Sequence, residues 1–280
     1  MTGPRGPRSC PSTSSGRNDG AVTIPGGRIV GAVVALMMTA LPIAAAAASP
    51  FANWAAVVVA GDFHAHSGAA SEAFDNARRD VSRALVAAGF DPRHIQQFSV
   101  RPNNYPGENL LPSDPGLIDN TLILLANQAK DGCLLYFSSH GAPAGVVVGW
   151  EGDQPNFLSP DAMSKMVDQA CGERPTVVIL SACFSGVFVP ALKDANRAVF
   201  TAARPDRTSF GCGESDRYPY YDDCILSSFP KVSDFTALAT TTRDCVAAKE
   251  TATGMRPPSE PQISIGAGLR PELPLYTFSK

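Results

Sequence analysis

Histidine is scarce in this chain. There are four in 280 residues, His64, His66, His94 and His140, and all precede Cys183. That order excludes the papain-like scheme, in which the cysteine comes before its histidine, and the nucleophile–acid–histidine order of α/β-hydrolases. Ser181-Ala182-Cys183-Phe184-Ser185-Gly186 also lacks the glycine two positions before the nucleophile that a G-x-S-x-G elbow uses. Basic charge is in deficit, with 23 Lys and Arg against 26 Asp and Glu, so no footprint for nucleic acid is present. His64 and His66 form an H-x-H pair, but no cysteine or glutamate cluster with zinc spacing accompanies it. Neither a metal nor a cofactor is expected. No period of 20–50 residues recurs, which argues against a repeat architecture.

Two short runs carry chemistry. Cys133-Leu134-Leu135-Tyr136-Phe137 leads into Ser138-Ser139-His140-Gly141, and Thr176-Val177-Val178-Ile179-Leu180 leads into Ser181-Ala182-Cys183. Each is a short apolar stretch ending in small polar residues, the pattern of a strand covered on both faces in a parallel sheet. Ligands of open α/β sheets bind outside the carboxyl ends of the strands. One histidine and one thiol are therefore offered where catalysis would occur. A thiol with an ordinary pKa of ~8.5 is mostly protonated at neutral pH and needs a base. His140 is the candidate to take that proton and return it to a leaving amine. Gly141 permits close approach of main chain to a substrate. A buried structural thiol is the alternative reading of Cys183.

The rest of the chain alternates. Strands are predicted over 54–61, 95–100, 134–139, 176–182 and 198–203, and helices over 72–88, 117–130 and 160–170. Ser71 is a candidate N-cap of the first helix, whose apolar face is Phe74, Ala77, Val81, Ala84, Leu85 and Ala88, and Gly89 stops it. This rhythm predicts an α/β fold with a doubly wound, mostly parallel sheet.

Residues 29–48 carry no charge and end in an alanine run after Arg28. With the polar stretch before them, residues 1–48 read as a leader and signal peptide cleaved after Ala47 or Ala48, so the protein is expected to be exported, periplasmic or secreted. A retained membrane anchor over 29–48 is the alternative. Beyond the leader, residues 49–255 read as one domain and 256–280 as a Pro-rich extended tail. Cleavage leaves 19 basic and 25 acidic side chains. Six of the seven cysteines lie beyond the leader, which suits an oxidising compartment. Cys133 and Cys171 each stand just before one of the two key strands and are expected to pair. Cys212 and Cys224 bracket a polar loop and are a second candidate pair, which leaves Cys245 over.

His140-Gly141 at one strand end and Ala182-Cys183-x-Ser185-Gly186 at the next resemble the caspase-like clan of cysteine peptidases. The resemblance is strongest to its legumain (asparaginyl endopeptidase) family and spans Trp54 to Leu226. It implies a caspase-like three-layer sandwich, a His140/Cys183 dyad, and an oxyanion hole from the amides of Gly141 and Cys183. It also implies a peptide or protein substrate cleaved through a thioester. The chain departs from the family at Ser139, where legumains carry aspartate, and at Ser181, where they carry a pocket glutamate. The Arg-His pair of their pocket has no clear match.

Candidate substrate-binding residues are His64 and His66, which with Asp62 follow the first strand, and Ser181, Arg204, Arg207 and Ser209. Asp222 and Asp223 loosely match the legumain pocket aspartate. The two arginines are candidates to select an acidic side chain by guanidinium–carboxylate pairing, with surface ion pairing as the alternative. The pocket is thus expected to be polar and to suit a small polar or acidic P1 residue. Two other functions share these residues: a transamidase using the same dyad, and a non-catalytic binding domain. Control by the N-terminal segment and the 107–115 loop, or constitutive competence, is expected.

Overall fold

The computed structural model describes residues 48–279, so the leader and the alternative anchor lie, but for Ala48, outside the described residues. Among the described residues no helix is long and apolar enough to cross a membrane.

The chain runs β1 (Trp54–Ala60), α1 (Ala73–Ala88), β2 (Ile95–Ser99), β3 (Leu110–Pro112), α2 (Pro115–Gln128) and β4 (Gly132–Ser138). It continues with β5 (Gly141–Ala142), β6 (Gly145–Glu151), β7 (Gln154–Leu158), α3 (Pro160–Cys171), β8 (Thr176–Ser181) and α4 (Phe188–Leu192). β9 (Arg197–Thr201), α5 (Tyr220–Ser228), α6 (Phe235–Thr253), β10 (Gln262–Ile265) and α7 (Leu269–Glu272) complete it. Seven strands form one sheet in the order β10-β9-β8-β4-β1-β2-β3, parallel throughout except for β10.

Alternation along the central strands divides the core in two. Trp54, Ala56 and Val58 of β1 join Leu134, Tyr136 and Ile179 on one face, under Leu85 of α1, Ile225 of α5 and Phe235 of α6. Ala55, Val57 and Val59 join Leu135, Phe137 and Leu180 on the other, under Leu122 of α2, Met163 of α3 and Phe188 of α4. This is the expected three-layer α/β sandwich. Strands buried on both faces have no polar face, which is why each read as an unbroken apolar run.

Helix ends follow local chemistry. Asp114 and Ser159 cap α2 and α3 by accepting from the amides of Leu117 and Ala162, each ahead of a proline at the first helical position. α1 stops at Gly89 in the left-handed region, φ 110°. Ser71 accepts from the amide of Ala73, while Glu72 occupies the cap position without a side-chain bond. Arg78 on α1 is fully buried, donating to Asp75, Gln97 and Glu108.

The β5-β6-β7 antiparallel sheet, β3, β10, the α5–α6 pair and the short helices α4 and α7 were not expected from the sequence. The Pro-rich segment after residue 255 supplies β10, which pairs antiparallel with β9.

Cys133, near the start of β4, and Cys171, at the end of α3 just before β8, are disulfide-bonded, as expected. The second bridge is Cys224–Cys245, not Cys212–Cys224. α5 and α6 pack together and bring Cys224 against Cys245, whereas the loop carrying Cys212 turns away, leaving Cys183 and Cys212 as free thiols. A non-reducing peptide map is expected to show Cys133–Cys171 and Cys224–Cys245 crosslinked and to find alkylated Cys183 and Cys212. Replacing Cys224 and Cys245 together with serine should lower unfolding free energy by about 3 kcal/mol in denaturant titration.

Candidate active site

Register positions the site. In the parallel ladder Ser138 of β4 lies opposite Ser181 of β8, and Ala60 of β1 lies opposite Ser138. The amide of Ser139 donates to the carbonyl of Ser181 at 3.0 Å, carrying the pairing one residue beyond the strands. His140 and Cys183, each two residues further on, therefore leave the sheet at the same height and side by side.

The turn after Cys183 is braced from the 203–207 segment. Phe184 sits in the left-handed region at φ 56°, which costs a non-glycine residue about 1–2 kcal/mol. Its amide donates to the carbonyl of Arg207 at 2.8 Å, and Ser185 Oγ accepts from the amide of Ala203 at 3.1 Å. Gly186 has no room for a side chain, since a Cβ there would stand 2.5 Å from the Pro205 ring. Gly141 is equally constrained, because its Cβ would stand 2.2 Å from the carbonyl oxygen of Cys183.

His140 is oriented by main chain. Its Nε2 lies 2.9 Å from the carbonyl oxygen of His64, and a carbonyl only accepts, so Nε2 carries the proton. In the neutral ring Nδ1 is then the free acceptor. Phe74 meets the imidazole edge-on at 5.1 Å. Cys183 Sγ receives the amide of Ser209 at 3.3 Å and lies 3.6 Å from Ser209 Oγ.

Both side chains open into a cavity of about 500 Å³ that Gly141, His66, Ser209, Cys212 and Asp216 also line. A second cleft of about 510 Å³ lies beyond His140, between Asp62, His64, His66 and Trp150. His64 does not reach the first cavity. Its Nδ1 is 2.8 Å from Asp62 Oδ1, and its ring packs on Trp150. Asp62 thus holds His64, and the backbone of His64 holds His140.

Other candidates take different places. Ser181 and Asp222 do not line either cleft; both are buried beneath the strand ends. Asp222 accepts from Tyr136 at 2.5 Å and from Ser138 at 2.6 Å, and its carboxyl also meets the Ser181 hydroxyl. Burial foremost, with the charge of Asp223 adding, pushes its pKa up to about 7 against those three donors. Asp223 instead pairs with Lys249.

Arg204 and Arg207, expected as possible selectors of an acidic side chain, line neither cleft. Arg204 is held by Asp206 and Glu260, and Arg207 by Asp206, so surface ion pairing is where they are used. Cys212 and Asp216, which no motif in the sequence marks as site residues, also line the cavity. Burial above all, then the neighbouring Cys183 and Asp216, pushes the Cys212 thiol up to about 11. It stays protonated at neutral pH. Among the described residues no cluster of His, Cys, Asp or Glu is arranged to hold a metal ion.

A seven-stranded, mostly parallel sheet with a histidine-glycine and a cysteine at neighbouring strand ends defines the caspase-like class. Caspase-1 from Spodoptera frugiperda is similar in structure, with a TM-score of 0.52 over 78% of this chain and 88% of that one, at 14% sequence identity. Identity that low carries the fold alone. The sequence profile of the Peptidase C13 family matches residues 96–253, more than half of the chain, and the chain belongs to that family. It is a legumain-like cysteine peptidase, and its substrates are peptides or proteins. No curated protein sequence matches the chain.

Asp222 makes stability depend on pH. Folded, its carboxyl keeps a proton up to about 7; unfolded, it ionises near 3.8. Between those values the folded state binds the extra proton, so its contribution is full below about 3.8 and is lost as pH rises through 7. Denaturant titrations should show the stability difference between wild type and Asp222→Asn narrowing across this window, by up to about 1.4 kcal/mol per pH unit. A difference independent of pH would refute the assignment.

Proposed function

We propose that the protein is a cysteine endopeptidase acting through Cys183 and His140. The observation that carries this reading is the bond from His140 Nε2 to the His64 carbonyl, which leaves Nδ1 as the ring's acceptor, with His140 and Cys183 lining one cavity.

The cycle follows from those groups. Cys183 Sγ gives its proton to His140 Nδ1, and the thiolate attacks the scissile carbonyl. Negative charge moves onto the substrate oxygen, where the amides of Gly141 and Cys183 are the donors. The contact between Gly141 and the Cys183 backbone supports that pairing, because only a residue without Cβ lets the two peptide units approach. The tetrahedral adduct collapses as His140 passes its proton to the leaving amine. That leaves a thioester on Cys183. Water, deprotonated at Nδ1, attacks the thioester carbonyl, and the acid product leaves as the thiol is restored.

We further infer export. Two disulfides within the described residues fit an oxidising compartment, and the uncharged 29–48 segment fits a leader.

Purified protein is expected to cleave a denatured protein substrate, and Cys183→Ala to abolish cleavage. His140→Ala should lower kcat/KM by about 10²–10⁴-fold, the contribution of a general acid–base group. Undiminished turnover by Cys183→Ala would sink the reading. Products analysed by mass spectrometry with an added amine should be free acids, whereas an amide adduct would assign transfer instead of hydrolysis.

A further inference from the structure

The cavity beside Cys183 is anionic. Among the described residues, Asp216 is, apart from histidine, the one ionisable oxygen- or nitrogen-bearing side chain lining it, and no lysine or arginine does. The arginines nearest Asp216 in sequence are committed elsewhere. Arg204 and Arg207 pair with Asp206, and Arg217 lies over Tyr218 and 3.8 Å from Asp80.

Asp216 is held in place without being neutralised. Its Oδ2 accepts the amide of Gly213 at 2.7 Å, which fixes the side chain. No cation is paired with it among the salt bridges of the described residues. Its field reaches the cavity, since it is one of the charges that push the Cys212 thiol up. Phe210 and Thr208, on the same loop, add an aromatic surface and a hydroxyl to the wall. A long cationic side chain suits this combination. Its methylenes lie along the ring while its charged head reaches the carboxylate.

We propose that Asp216 is a specificity-determining residue, and that the cavity takes a lysine or arginine side chain of the substrate on the unprimed side of the scissile bond. The proposal rests on the reading of Cys183 as the nucleophile. It replaces the small polar or acidic preference expected when Arg204 and Arg207 were placed in the wall.

The test has two parts. First, a positional set of fluorogenic peptides compares Lys and Arg with Gln, Asn and Asp at each unprimed position from P1 to P4. At one of them the full-length protein should favour the cation over glutamine by about 10- to 100-fold in kcat/KM, the range of a charge-assisted hydrogen bond. Asp216→Asn preserves an acceptor for the Gly213 amide and should collapse that ratio toward one. Glu214→Gln, outside the cavity wall, should change it by no more than about two-fold.

Second, the rate of Cys183 modification is compared for aminoethyl and sulfonatoethyl methanethiosulfonate, with peptide mass spectrometry separating Cys183 from Cys212. The cationic reagent should react faster, and the ratio should fall in Asp216→Asn. No cationic preference at any position, or ratios unmoved by Asp216→Asn, overturns the proposal and leaves the nucleophile standing if Cys183 is still modified. A Cys183 inert to both reagents overturns the two together.

Discussion

The parallel pairing of β4 with β8 is the constraint on which the site depends. Ser138 opposite Ser181 sets the height at which both chains leave the sheet, and everything chemical follows within two residues. A slip of one residue in β4 or β8 would exchange the side chains packed into the two buried cores, so the register is enforced by packing on both faces at once. Asp222 reinforces it from below. Its carboxyl meets Tyr136 and Ser138 of β4 and Ser181 of β8, tying the start of α5 to both strand ends.

The two departures from the legumain pattern belong to this arrangement. Ser139 donates to the carbonyl of Val147 at 2.8 Å, docking the β6 hairpin over the strand end. Gly61 makes the same docking possible from β1, since a Cβ there would meet that carbonyl oxygen at 2.1 Å. Ser181 offers Asp222 a hydroxyl where a glutamate would set a second carboxyl against a buried one. Hydroxyl partners both donate and accept, so they satisfy Asp222 whether or not it holds its proton. The cleft residues that remain free to meet a substrate come from loops: His66 after β1, and Ser209, Cys212 and Asp216 after β9.

Much of the fold was legible because burial on both faces leaves an unmistakable trace. β1, β4, β8 and β9 are continuous apolar runs, and α1 and α3 show apolar residues at helical spacing between recognisable caps. α5 and α6 were missed for the opposite reason. Leu238 and Val246 of α6 are spread among threonines and alanines, and α5 is only nine residues long, so neither shows much amphipathic contrast. β10 was hidden by its neighbours, since an edge strand of four residues between prolines and glycines has no periodicity to find. The misassigned disulfide has a related cause. Cys212 and Cys224 are close in sequence, but Cys224 lies on a helix whose inner face meets α6.

At the site, residue types and their order along the chain were enough to single out His140, Gly141 and Cys183, because few histidines exist and the strand ends announce themselves. Directions were not. Which nitrogen of His140 is free depends on the carbonyl of His64, and no side-chain pattern reports a backbone acceptor. That Arg204 and Arg207 turn to Asp206 while Asp216 turns to the cavity depends on how a loop folds back over the sheet edge. The central strands and the candidate pair His140 and Cys183 follow from local apolar pattern and residue order, which are written in the chain. The charge of the pocket is a property of loops brought together by packing, and only the tertiary structure decides it.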